Sequence, residues 1–307
     1  MKNKRSIILI LIFVLLCGCA RANKSDENVD PIRVSVILPE QNDAYWFEIQ
    51  KGIENEIDKL GDDNHADYKI MTPAVAYNEE LMMELMRQQI ASKVDVLVIP
   101  GMENPAITDD LKEAMNEGTK IICIDSDMSG LEGHVYIGTN NTTVGQLMAK
   151  HAVEMSGGKA LITMVLGEQN NANQQSRLEG FKKEIENYPH MKIRNTVYDQ
   201  YDGATFMDIY NSNQESTMLV CLEGTGAKVL GTVKLSDKKG YKLVFGFDHT
   251  EGVSKGMLDG VMVQDMDAMG RSVVDVVENY AKTGEWETEN YYTDIEFVKD
   301  NVSLENE

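Results

Sequence analysis

Residues 94–127 read VDVLVIPGMENPAITDDLKEAMNEGTKIICIDSD. Val94–Ile99 is continuously apolar and short, the pattern of a strand buried on both faces of a sheet. Asn104–Glu117 has helical character and stops at Gly118. Thr119–Ile124 is a second apolar run, and Asp125-Ser126-Asp127 follows it directly. Strand, helix, strand is the unit of a parallel sheet.

The alternation extends in both directions. Upstream lie Arg33–Leu38, a helix with Trp46, Ile49, Ile53, Ile57 and Leu60 at helical spacing, a strand at Tyr68–Thr72, and a helix over Asn78–Ala91. Val135–Gly138 is the next strand downstream. The pattern then restarts: helices over 142–155, 173–187, 204–212, 226–236, 251–258 and 267–282 alternate with strands at Lys159–Leu166, Lys192–Tyr198, Thr217–Leu222, Tyr241–Phe247 and Val261–Gln264. A final strand is expected near Tyr292–Phe297. Two rounds of alternation predict an α/β protein with two doubly wound parallel sheets, helices on both faces and right-handed crossovers. No sequence repeat marks an internal duplication.

The chain has 307 residues, 42% hydrophobic and 26% charged, which is an ordinary globular balance with room for two lobes. Fifty acidic against 29 basic residues give a formal charge of −21. Such a surface repels phosphate backbones and argues against a nucleic-acid partner. Four cysteines are too few for a disulfide-stapled scaffold.

Residues 1–18 read as an address. Lys2, Lys4 and Arg5 precede an apolar run from Ile7 to Leu16, too short to span a bilayer comfortably. Leu16-Cys17-Gly18-Cys19 resembles a bacterial lipobox, which implies cleavage before Cys19 and a lipid on its sulfur. The alternative is an ordinary secretory signal with Cys19 left as a thiol. Residues 19–31 are polar and small, and read as a tether. Cys123 and Cys221 lie inside apolar runs and read as buried thiols. The five histidines are scattered singly, so no metal site and no cofactor are expected.

In parallel sheets, ligands bind beyond the carboxyl ends of the strands. The polar and aromatic residues found there are Gln41 to Trp46, Asp125-Ser126-Asp127, Thr139-Asn140-Asn141, a loop running into Arg177, Tyr201, Glu223-Gly224-Thr225, Asp248 and Gln264-Asp265. Ionised Asp accepts hydroxyl hydrogens, Arg and Asn donate to hydroxyl oxygens, and aromatic rings cover the apolar faces of a pyranose. That inventory suits a sugar. No strand end pairs Ser or Cys with His, so no catalytic residue is assigned and an enzyme is not expected. Each residue has a plain alternative: helix or turn caps for Asp125 and Asp248, a surface position for Arg177, core packing for Tyr45 and Trp46, and a loop aromatic for Tyr201. GTGAKVLG at 224–231 lacks the Gly-Lys-Ser/Thr of a phosphate loop.

The segments NDAYWFEIQKGIENEIDKLG, residues 94–127, YIGTNNTTVGQLMAKHA, RLEGF, VFGFDHTEGV and VQDMDAMG stand in an order that resembles the type I periplasmic binding proteins. The likeness is to the ribose/galactose/xylose-binding group that serves ABC transporters, over about residues 32–299. The resemblance implies sugar contacts at Asp43, Tyr45, Trp46, Asp125, Asn141, Arg177, Tyr201, Thr225, Asp248 and Gln264. Ser126 and Glu223-Gly224-Thr225 depart from the pattern of ribose binders, which have Arg and an Asn-Asp pair there.

The resemblance further implies two lobes joined by a three-segment hinge: 32–139 with 265–296, and 140–264 with 297–307. The expected function is a monomeric, lipid-anchored extracytoplasmic receptor that captures a monosaccharide or similar polyol for an ABC permease. The rival expectation keeps the fold and reports the ligand to a histidine kinase or chemoreceptor. DNA-binding repressors of this fold begin with a helix-turn-helix, and this chain has a signal-like segment in that place.

Overall fold

A computed structural model describes residues 30–236, 243–248, 250–287 and 290–299. The signal and lipidation calls on residues 1–18 and Cys19, most of the tether, and the tail from residue 300 lie outside the described residues.

The first sheet holds β1 (Ile32–Ile37), β2 (Ala66–Met71), β3 (Val96–Pro100), β4 (Lys120–Ile124), β5 (Val135–Gly138) and β11 (Asn290–Tyr292). Its order is β11-β5-β4-β3-β1-β2, with all pairs parallel. The second sheet holds β6 (Ala160–Leu166), β7 (Met191–Tyr198), β8 (Met218–Cys221), β9 (Leu243–Phe247), β10 (Gly260–Gln264) and β12 (Ile295–Val298). Its order is β12-β10-β9-β8-β6-β7. Shifting every index of the first five strands by five turns one order into the other. The two halves therefore share one topology, although no sequence repeat announces it.

Strand periodicity explains the layering. In β3, Val96 and Val98 face one core with Trp46 and Ile49 of α1 (Ala44–Leu60) and Val273 of α9 (Met266–Thr283). Leu97 and Ile99 face the opposite core with Met82 and Met86 of α2 (Glu79–Ala91) and Ile107 and Leu111 of α3 (Pro105–Asn116). Both faces are covered, so the strand is apolar at every position. Fully burying a side chain such as Leu97 is worth about 2–3 kcal/mol relative to exposure. In β8, Met218 and Val220 face α4 (Asn141–Ser156) and α5 (Ala172–Ile185), while Leu219 and Cys221 face α6 (Gly203–Ser212) and α7 (Gly224–Ser236). A short α8 (Thr250–Ser254) precedes β10. Cys123 and Cys221 are buried free thiols.

One expectation is corrected. The single closing strand near Tyr292–Phe297 is two strands in two sheets, β11 and β12. The crossing therefore falls at Thr293-Asp294 and not near residue 297, and β12 runs antiparallel to β10. The reason is direction: β10 runs toward the crossing point and β12 leaves it. The crossing segments are stitched by Thr293 N to Gly138 O at 2.9 Å and Asp265 N to Asp294 O at 3.3 Å.

Candidate functional site

The carboxyl ends of the two sheets meet around one hydrogen-bonded cluster. Asp43 caps α1, its Oδ1 accepting from Tyr45 N at 2.8 Å. This cap starts the helix where it sends the Tyr45 hydroxyl toward the end of β4. The hydroxyl donates to Asp125 Oδ1 at 2.5 Å and accepts from Gln264 Nε2 at 3.3 Å. Gln264 also gives Asp248 two hydrogen bonds, from its backbone N at 2.9 Å and from Nε2 at 2.7 Å. Its Oε1 accepts from Thr139 Oγ1 at 2.5 Å. Burial, then the charges of Asp125 and Asp248, push the Tyr45 phenol well above its ordinary pKa.

Asp125 and Asp248 adopt left-handed backbone, with φ of +64° and +50°. Non-glycine residues rarely do so, and such strain gathers at functional sites. The turn at Asp125 is held by Tyr136, whose hydroxyl donates to Asp125 O at 2.9 Å. Ser126 Oγ donates to Asp125 Oδ2 at 2.7 Å. Burial pushes the Asp248 carboxyl up to about 6, against the opposing pull of the Gln264 hydrogen bonds and the Arg177 charge.

Arg177 lies in α5 and is 5% exposed. It donates from Nε to Asn141 Oδ1 at 2.7 Å and from Nη1 to Leu222 O at 2.8 Å. Its guanidinium lies 3.7 Å from the centre of the Phe247 ring. The helix comes this close because α4 carries Gly145: a Cβ there would stand 2.0 Å from Arg177 O. Burial lowers the Arg177 pKa, and the charges of Asp248 and Asp125 oppose that shift. The alternative of a surface position for Arg177 is therefore excluded. Arg177 is a buried, stacked side chain with structural bonds of its own.

The other expected residues line a cleft of about 810 Å³ beside this cluster, on walls that come from both sheets. Asp43, Trp46 and Ser126 stand on the first side, and Tyr201 and Thr225 on the second. Trp46 is 7% exposed, so it serves the core and the cleft together. Tyr45, expected to share the sandwich of a sugar ring, packs edge-to-face on Trp46 with centroids 5.2 Å apart and contributes its hydroxyl instead. Tyr201 is 42% exposed, and its hydroxyl accepts from Gln174 Nε2 at 3.1 Å.

Sequence reasoning missed three features. Asn173 donates from Nδ2 to Asp125 O at 3.2 Å and to Ser126 Oγ at 3.3 Å, bridging from α5 to the β4 loop. It stands one helical turn before Arg177, and that spacing was the available signal. Asp199, a buried carboxyl beside Tyr201, meets the buried carboxyl of Glu223, which alone of the two stood among the strand-end residues. Finally, Cys123, Asp127 and His134 bring their ligand-type atoms within 4.8 Å of one another. Both imidazole nitrogens are already engaged, by Leu131 O and by Asp127 Oδ1. Burial raises the Cys123 thiol far above its ordinary range. The group works as a clamp on the loop after Asp125.

Chemically, the cluster offers acceptors on two aspartates and donors on Arg177, Tyr45 and Gln264, next to aromatic walls. That set recognises hydroxyl groups.

The chain matches the family described as "Periplasmic binding protein domain" over residues 34–285. The D-apiose import binding protein of Actinobacillus succinogenes is 22% identical over 234 residues, 74% of this chain and 73% of that protein. GanP, a glucose-galactose binding protein from Geobacillus stearothermophilus, superposes with a TM-score of 0.78 at 19% identity, covering 88% of this chain and 97% of that one. A chain of the XylFII-LytSN complex superposes with a TM-score of 0.75 at 22% identity, covering 88% and 98%. The matched residues take in ten of the twelve strands among the described residues and the whole cluster, and the chain belongs to the periplasmic binding protein family.

Proposed function

We propose that this protein is an extracytoplasmic receptor that captures a monosaccharide or similar polyol in its cleft and hands it to an ABC permease. The observation that carries the reading is the cluster itself. Asp125, Asp248, Arg177, Tyr45 and Gln264 converge from both sheets beside a cleft walled by Trp46 and Tyr201. A sugar's hydroxyls exchange into these hydrogen bonds, and its apolar face lies against the aromatic walls. Residues 32–139 with 265–293 form one lobe, and 140–264 with 294–299 the other. Closure about the three crossings buries the ligand and presents a new surface to the partner. Cys19 carries the lipid that holds the receptor at the membrane. Among the described residues, no helix is long and apolar enough to cross a membrane.

A second reading keeps the ligand and changes the listener. The XylFII-LytSN complex sets a chain of this fold against a protein partner, which favours a sensory output as the alternative.

A thermal-shift panel of D-xylose, D-ribose, D-galactose and D-glucose tests the binding claim, because a ligand that binds only the folded state raises Tm. At least one sugar is expected to raise it. A flat response to every pentose and hexose, with no binding by calorimetry, contradicts the reading.

A further inference from the structure

Asp199 and Glu223 end neighbouring paths in the second sheet. Asp199 follows β7 and Glu223 follows β8, the two strands that flank β6. Asp199 is 0% exposed and Glu223 7%. Each ties down its own loop. Asp199 Oδ1 accepts from Tyr201 N at 2.8 Å. Glu223 Oε2 accepts from Thr225 N at 2.7 Å, and Oε1 accepts from Gly226 N.

Asp199 Oδ2, by contrast, is buried with no donor among the described residues. A buried carboxylate oxygen left so is costly. Its neighbour is the Glu223 carboxyl, within side-chain hydrogen-bond reach. Gly226 makes room for the meeting: a Cβ there would lie 2.4 Å from Glu223 Oε1 and 3.0 Å from Asp199 Oδ2. Two carboxylates so placed cannot both hold their charge in a dry site, and one proton between them supplies the missing donor.

No other group offsets a second charge. Neither carboxyl has a Lys, Arg or His ion-pair partner among the described residues. The titratable groups facing the pair are Cys221 from β8 and Tyr201 from the β7 loop, with Glu168 from the β6 loop acting on Tyr201. All are acidic or neutral. Burial raises both carboxyls, and the Asp199 charge raises Glu223 further.

We propose that Asp199 and Glu223 are a proton-sharing positioning pair, in which one proton ties the loop of Tyr201 to the loop of Thr225 and so sets the second wall of the cleft. This rests on reading that cleft as the solute site. Loss of the proton breaks the O–H···O bond and leaves two like charges facing each other. The loops then part, and ligand affinity falls as pH rises through the titration of the pair.

The test compares the full chain with Asp199→Asn and Asp199→Ala. In Asp199→Asn the side-chain oxygen still accepts from Tyr201 N. Its amide nitrogen donates to an ionised Glu223, which replaces the shared proton by one that does not titrate. Two readouts need no ligand: carboxyl-carbon NMR titration, and backbone amide exchange at Tyr201, Thr225 and Gly226. From about pH 5 to about pH 9 the wild type should release one carboxyl proton late, with those amides losing protection as it leaves. Asp199→Asn should show neither change, and Asp199→Ala should be unprotected throughout. With a panel sugar that binds, wild-type affinity should fall roughly tenfold over that range while Asp199→Asn stays flat. Two ionised carboxyls already at pH 5 overturn the proposal, as does amide protection that ignores the titration. If no sugar binds at any pH, the solute reading fails, and the ligand-free readouts still decide the pair.

Discussion

Gln264 holds Asp248 at two points, through its backbone N at 2.9 Å and its Nε2 at 2.7 Å, while its Oε1 takes the Thr139 hydroxyl at 2.5 Å. Gln264 is the last residue of β10 and Thr139 follows β5, so one amide joins the two sheets at a crossing point. The aspartate it holds has left-handed backbone, with φ of +50°.

Gln264→Ala should therefore weaken ligand binding and also lower the Tm of the ligand-free protein. Losing a buried hydrogen-bonded group of this kind costs about 1–3 kcal/mol, or about 2–4 °C for a chain of this size. Differential scanning calorimetry without ligand checks it. An unchanged Tm would show that the amide serves the ligand alone.

Arg177→Ala should destabilise the ligand-free protein by about 2–4 kcal/mol, because Asn141 Oδ1 and Leu222 O lose their donor and Phe247 its stacked cation. Arg177→Lys should recover only part of this, since an ammonium cannot reproduce the planar, two-point contact. Urea unfolding of both variants decides. A wild-type midpoint in Arg177→Ala would return Arg177 to a purely ligand-contacting role.

Asp248 sets a pH dependence. Its folded pKa, about 6, lies above the ordinary value near 4, so the native state holds the proton more tightly than the unfolded chain. The sign follows: its contribution to stability is full below about pH 4 and is lost as pH rises toward 6. Tm profiles of wild type and Asp248→Asn should differ in slope over that window and run parallel above it. Identical slopes would mean that the carboxyl is hydrated in solution.

Gly145→Val should disturb the site from a distance. Its side chain would have to displace the α5 backbone at Arg177, which leaves no space for a Cβ. Lower Tm together with weaker binding is expected, by calorimetry on one sample. Normal binding in a stable variant would show that α4 and α5 can separate without moving Arg177.

Much of this was readable before the fold. The unbroken apolarity of β3 and β4 marked strands covered on both faces, and the helix expected over Asn78–Ala91 is α2, with Asn78 as its cap. Asp125 and Asp248 drew attention because they stand just after strand ends, where ligands bind in parallel sheets. The pair β11 and β12 was not legible, since short, half-exposed strands carry little periodic signal. Asn173 escaped because it belongs to a helix and not to a strand end. The joining of Asp199 with Glu223 depends on two loops brought together by strand order, which no local pattern encodes.

The central claim is that the cluster around Asp125 and Asp248 takes hold of a polyhydroxylated ligand. Isothermal titration calorimetry tests it most directly, using the panel sugar with the largest thermal shift against wild type, Asp125→Ala and Asp248→Ala. One sugar per chain is expected, with each substitution costing about 1.5–3 kcal/mol, roughly 10- to 150-fold in Kd, through lost hydrogen bonds to a charged group. Saturable binding that neither substitution weakens would contradict the account.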